Sequence, residues 1–252
     1  MRYFDETITE MAREKSSAKR RVNKAVLAIL LLADEYRDGD GRFSFDKYPE
    51  LDDQVNLLLI EMSDGLLKQA ENRARKILSW LELRDFYADE ALAEAESGDE
   101  GLTWALDMHA SNLKKVVEAW VVIMFANGMT VHETYPKVIA YMAAPDASPL
   151  WKESIRARLV DKNEVRFGKG YQRRVAEAVA ILLQTFLYTV LVAGTLRKGV
   201  EGGAYGYRVF RQSGYDCPLC DSLTEGIWPI GTRVLPAHPR CVCGIELVYP
   251  ES

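Results

Sequence analysis

Apolar residues recur at spacings of three and four over most of this chain, the period that lines one face of an α-helix. Ile8, Met11, Val22, Val26, Ile29, Leu30 and Ala33 carry it through residues 4 to 37 and predict a first long helix there. Pro49 opens a second, over about 50 to 84, on Leu51, Val55, Leu59, Met62, Leu66, Ile77 and Leu81. A proline at the first helical position lacks only an N–H that would be left over anyway. Residues 85 to 100 are acidic and alanine-rich and end in Ser97-Gly98-Asp99-Glu100-Gly101, a short helix and then a loop. A third long helix, 102 to 126, stops at Asn127-Gly128, because glycine accepts the left-handed conformation that ends helices. Thr130 and Glu133 have capping-box spacing for the next helix, with Pro136 expected to delay its start, and Ser148-Pro149 begins another.

The pattern then changes. The helix predicted from about 170 to 198 has no charge between Ala178 and Leu196, and Arg173, Arg174, Arg197 and Lys198 bracket that run. Its length approaches the roughly 20 residues of a membrane span. Gln184, Thr185 and Thr189 interrupt it, and a helix apolar all round is also what the centre of a helical bundle needs, so we read it as buried. After Gly202-Gly203, alternation takes over. Tyr205, Tyr207 and Val209 alternate with Arg208 and Phe210, Ile245 to Tyr249 offers a second extended run, and the two are expected to pair.

The expected fold is therefore mainly α, an elongated helical bundle with a small zinc-stapled β module at the C-terminus. Three regions follow: an N-terminal helical region 1–100, a second helical region 101–201 holding the apolar helix, and a Cys/His β module 202–252.

The staple is read from the cysteines. All four lie between residues 217 and 243, with one of the three histidines: Cys217-x2-Cys220, a loop, then His238-x2-Cys241-x-Cys243. Pro218 presets a tight turn between the first two thiols, and Cys241 and Cys243, two apart in an extended segment, face the same way. Tetrahedral zinc needs four of these five donors. The four cysteines satisfy it, or His238 replaces Cys241 or Cys243, and spacing leaves both open. The N-terminal MRYFDETITEM is polar and acidic, unlike a secretion signal, so metal is expected here rather than disulfides. A site closed by four protein ligands is structural.

Cys217-Pro218-Leu219-Cys220, then Leu223, Gly226 and Trp228, then Leu235-Pro-Ala-His-Pro-Arg-Cys-Val-Cys243, form a longer pattern, led in by Tyr205-Gly-Tyr-Arg-Val-Phe-Arg-Gln-Ser-Gly214. This stretch resembles the C-terminal signature of phage minor head proteins, the head-morphogenesis family that includes the F protein of phage Mu. Val242 stands where those proteins commonly carry Arg. The resemblance covers the last fifth of the chain or so. It implies a structural minor head protein of a tailed phage or prophage, made in the host cytoplasm and present in the virion head. Its partners would be the portal or major capsid protein, and no catalytic residues are implied.

Charge adds one qualification. A formal net charge of −5 argues against a protein that coats nucleic acid with a broad basic face. Any contact with packaged DNA would be local, through Arg13, Lys19, Arg20, Arg21 and Lys24 of the first helix, which otherwise read as a solvated surface. No membrane partner is expected.

Other candidates for chemistry fall away on spacing. Asp38 to Asp46 mimics a calcium loop, but its register puts Tyr36 and Lys47 where carboxylates are required. His109 lies among Trp104, Met108 and Leu113 as a packed side chain. His132-Glu133 lacks the second histidine of a helical zinc protease, and no His-x-Glu precedes the cysteines as in zinc deaminases. Glu225 alone could be cast as a general base beside the metal. The alternative to a head protein is thus a zinc-containing intracellular regulator or metal-dependent enzyme.

Overall fold

Arg2–Asp34 forms one uninterrupted helix, α1, and buries the expected stripe, with Val22, Val26, Ile29 and Leu30 fully inaccessible. It ends sooner than the predicted residue 37. Glu35 and Tyr36 bond back to the carbonyls of Leu32 and Ala33, tightening the last turn, and Arg37 folds onto Asp34 (2.7 Å) and the Met129 carbonyl (2.6 Å). The computed structural model describes residues 2–37, 43–96, 101–143, 175–212, 217–237 and 241–251. Part of the loop weighed for calcium, the helix start at Ser148-Pro149, residues 170–174 and His238 lie outside them.

After a helical turn at Phe45–Lys47, α2 runs Pro49–Trp80, α3 Asp85–Glu96, α4 Leu102–Ala126, α5 Val131–Ala143 and α6 Val175–Glu201. The end of α2 differs from the predicted residue 84 because Glu82 takes a left-handed conformation (φ 50°), the position that terminates helices and usually belongs to glycine. Gly128 does the same job after α4 at φ 62°. The capping box of α5 is formed in both directions: Thr130 N donates to Glu133 Oε2 (2.8 Å) and Glu133 N to Thr130 Oγ1 (3.3 Å). Pro136 does not delay that helix. It sits inside it and removes a single bond to the carbonyl of His132.

The chain divides into two compact units. Unit 2 comprises Ser16–Leu67 and Thr103–Ala180. In it Phe43 packs edge-on against Phe45 and Phe125, and the Glu118 carboxylate accepts from Ser44 Oγ (2.7 Å) and Phe45 N (2.9 Å). Trp120 and Tyr141 pack edge to face. His109 is buried, as expected of a packed side chain.

Unit 1 comprises Met1–Lys15, Lys68–Leu102 and Ile181–Ser252. Buried Glu10 and Glu14 of α1 meet cations and an amide from α2. Arg73 pairs with both, Lys76 with Glu10 (2.9 Å), and Gln69 with Glu14 (2.8 Å), so α1 and α2 run antiparallel. The apolar α6 passes the length and composition test for a membrane span, yet 78% of its most apolar window is buried within the protein.

Beyond α6 lie β1 (Gly206–Phe210), a one-turn helix α7 (Pro218–Asp221), β2 (Trp228–Pro229) and β3 (Gly244–Val248). The expected pair forms: β1 is central and antiparallel to both neighbours, with Tyr207 opposite Leu247 and Val209 opposite Ile245. Tyr207 and Val209 point inward, while Arg208 and Phe210 face out. Gly199 of α6 lets this sheet approach, since a Cβ there would stand 2.6 Å from Leu247 Cδ2 and 2.9 Å from Ile230 Cδ1. The result is mainly helical, with a three-stranded sheet and a cysteine cluster near the C-terminus.

Candidate metal centre

Pro218 does more than bend the chain between the first two cysteines. It starts α7, with Cys217 as the N-cap in extended conformation, and the Cys217 Sγ accepts from Cys220 N at 3.5 Å. One helical turn then carries Cys220 inward while Cys217 stays half-buried. From the other side, the extended residues before β3 deliver Cys241 and Cys243, both on the buried face as their two-residue spacing requires.

The three buried thiols meet. The Sγ atoms of Cys220, Cys241 and Cys243 all lie within 4.8 Å of one another, and Cys220 and Cys241 are 3.9 Å apart. A zinc–sulfur bond of about 2.3 Å makes the edge of a tetrahedral thiolate site about 3.8 Å, so the observed separation fits one ion between two sulfurs. None of the four cysteines is in a disulfide. Cys217, whose thiol hydrogen-bonds that of Cys220, is not one of the three, and His238 lies outside the described residues.

In the absence of a cation, burial favours the neutral form of these thiols. Burial pushes the Cys220 thiol up, and its thiol neighbours Cys217 and Cys243 add to the rise. Burial likewise raises Cys243, with the Arg211 guanidinium pulling weakly the other way. Packed soft donors that cannot ionise together on their own become thiolates when a metal supplies the compensating charge.

The surroundings hold the donors still. Arg211, just past β1, pairs with Asp221 of α7 and reaches the Cys217 carbonyl (3.4 Å). Tyr188 of α6 donates its hydroxyl to the Cys243 carbonyl, and burial raises its pKa so that it remains a donor. The loop after α7 is pinned by Trp228 Nε1 to the Leu223 carbonyl (2.9 Å) and Tyr207 Oη to the Thr232 carbonyl (2.6 Å). Neither Tyr188 nor Arg211 stood out in the sequence. Tyr188 was the one phenol in a run without charge, a signal that could have been read as a buried hydroxyl in search of an acceptor.

Glu225 is exposed in that loop and is not a member of the thiol group, and Asp221 is engaged by Arg211. His132 is exposed on α5 in unit 2, whereas the cysteines belong to unit 1. On α1, Arg13 is paired with Glu10 (2.6 Å) and Lys19 with Glu177, while Arg20, Arg21 and Lys24 are exposed. What the cluster can do chemically is bind a soft or borderline ion and lock two chain segments together. No known protein family, curated protein or solved structure matches this chain.

Proposed function

We propose that the chain is a structural minor head protein of a tailed phage or prophage, acting in head morphogenesis by contact with portal or major capsid subunits. Its C-terminal module is stapled by zinc held on Cys220, Cys241, Cys243 and either Cys217 or His238. The observation that carries the structural role is the buried, all-sulfur group of Cys220, Cys241 and Cys243. Such donors hold an ion tightly, and Asp221, the carboxylate next to Cys220 in the chain, is engaged by Arg211. The head assignment is supported by the residues of the Cys217–Cys243 stretch that resemble the minor head signature. Contact with packaged DNA would fall to Arg20, Arg21 and Lys24, because Arg13 and Lys19 are already engaged.

A stapled module offers a rigid surface without ordering loss on docking, which is how a small contact gains affinity. The test is co-expression with portal and major capsid subunits of a tailed phage, followed by sedimentation of assembled particles. The chain should travel with the particles, and a Cys220→Ser/Cys243→Ser variant should be depleted from them at least tenfold. A chain that never sediments with either subunit contradicts the proposal.

A further inference from the structure

Unit 2 leaves a helix face uncovered. Leu57 and Ile60 of α2 are 57% and 56% exposed and Leu31 of α1 is 54% exposed, unusual values for large aliphatic side chains on long, otherwise well-buried helices. On α2 the sequence positions 53, 57, 60 and 64 fall on one stripe, so the apolar pair is flanked along the helix by exposed Asp53 and Asp64. On α1 the positions 20, 24 and 31 fall on another, so Leu31 continues a stripe that begins with exposed Arg20 and Lys24.

The two stripes face the same way. Arg21 lies over Gly65, where a Cβ would come 2.2 Å from its Nη1, so the helices touch at this level. With α1 and α2 antiparallel, Leu31 stands about 15 Å along from that crossing and Leu57 about 12 Å along in the same direction. The bases of α1 are then level with Glu61 and Asp64 of α2, and the aliphatic residues of the two helices are level with each other. Among the described residues, none of Arg20, Arg21 and Lys24 on α1, or Asp53, Glu61 and Asp64 on α2, is in an ion pair.

We infer that this face of α1 and α2 binds a second copy of the same chain. A two-fold axis along the seam between the helices lays α1 of each copy on α2 of the other. It sets Arg20 and Lys24 against the partner's acidic residues, and Leu31 against the partner's aliphatic pair. The surface is complementary to itself, which is what an isologous dimer requires. A polyanion fits less well, because phosphates drawn to the α1 bases meet the carboxylates of the adjacent helix and have nothing to do with the leucines. This inference stands on unit 2 alone, does not depend on the metal, and gives to a second copy the Arg20 and Lys24 that a local DNA contact would otherwise use.

The test is sedimentation equilibrium of the full chain at 150 mM salt, from about 1 to 100 µM, a range spanning micromolar affinities. The parent chain should pass from monomer to dimer, and Leu57→Glu/Ile60→Glu should raise the dissociation constant at least a hundredfold with its melting temperature unchanged. Arg20→Glu/Lys24→Glu and Glu61→Lys/Asp64→Lys should each be monomeric alone and form a heterodimer when mixed. A parent chain monomeric at 100 µM overturns the inference, as does a dimer indifferent to both sets of substitutions. Tight binding of a DNA duplex that is lost in Arg20→Glu/Lys24→Glu, with self-association unaffected, overturns it in favour of a nucleic-acid surface.

Discussion

Tyr188, midway along α6, gives its hydroxyl hydrogen bond to the main-chain carbonyl of Cys243, a residue 55 positions away in sequence. The bond ties the cysteine cluster to the most apolar helix of the protein. It also explains how a module with so small a sheet keeps its thiols in register, since the cysteine cluster is tied to a buried helix.

Tyr188→Phe should therefore leave the fold intact but strand a buried carbonyl. A loss of about 1 to 3 kcal/mol is expected by urea denaturation. Zinc transfer to a chromogenic chelator should become at least several-fold faster, which a purely distant packing defect would not produce.

His109 makes stability depend on pH. Burial holds its imidazole down to about 4, from an ordinary 6.5. Below pH 6.5 the unfolded chain takes up a proton that the folded chain refuses until about pH 4, so stability falls across that window and levels off beneath it. The full difference is about 3 kcal/mol. His109→Leu should flatten the urea midpoint between pH 6.5 and 4.5 relative to the parent chain.

The Glu10, Glu14 and Arg73 group predicts a large effect from a small change. Both carboxylates are almost wholly buried, and Arg73 serves both. Arg73→Ala removes the cation that Glu14 shares with Glu10, which keeps Lys76 and Arg13, and should lower stability by about 3 kcal/mol. The double variant with Glu14→Gln should recover part of that loss, measured as a coupling energy in a double-mutant cycle.

Two glycines separate soft from hard neighbours. A Cβ at Gly194 would meet the leucine tips Leu78 Cδ2 and Leu81 Cδ1 at 2.7 Å and Leu83 Cδ1 at 3.5 Å, which can turn aside, and alanine favours the helix. A Cβ at Gly206 would stand 2.7 Å from the main-chain oxygen of Trp228, across the β1–β2 pairing. Gly206→Ala should cost about 1 to 3 kcal/mol and Gly194→Ala less than half of that, by thermal or urea denaturation.

Much of this architecture was legible because local chemistry and tertiary need agree. Gly128 and the Thr130–Glu133 box end one helix and begin the next as their side chains dictate, and the alternation around Tyr207 foretold both strand and partner. Legibility failed where the deciding contact is distant or the element is brief. Strand β2 has two residues and no period to detect, and α2 stops at a non-glycine residue, Glu82, in a glycine-like conformation. At the cysteine cluster the spacing left open which of five donors converge, and the structure brings Cys220, Cys241 and Cys243 together. The supporting Tyr188 and Arg211 were invisible because their roles exist only after α6 and the sheet have come together.

Metal analysis decides whether an ion sits on the thiol cluster. The chain purified under reducing conditions without chelator should carry about one zinc ion. Cys220→Ser and Cys243→Ser should each lose it, with the segment after α6 becoming sensitive to protease while the helices remain folded. A metal-free parent chain with four freely titrating thiols, and a C-terminal segment as protease-resistant as before, would contradict the account.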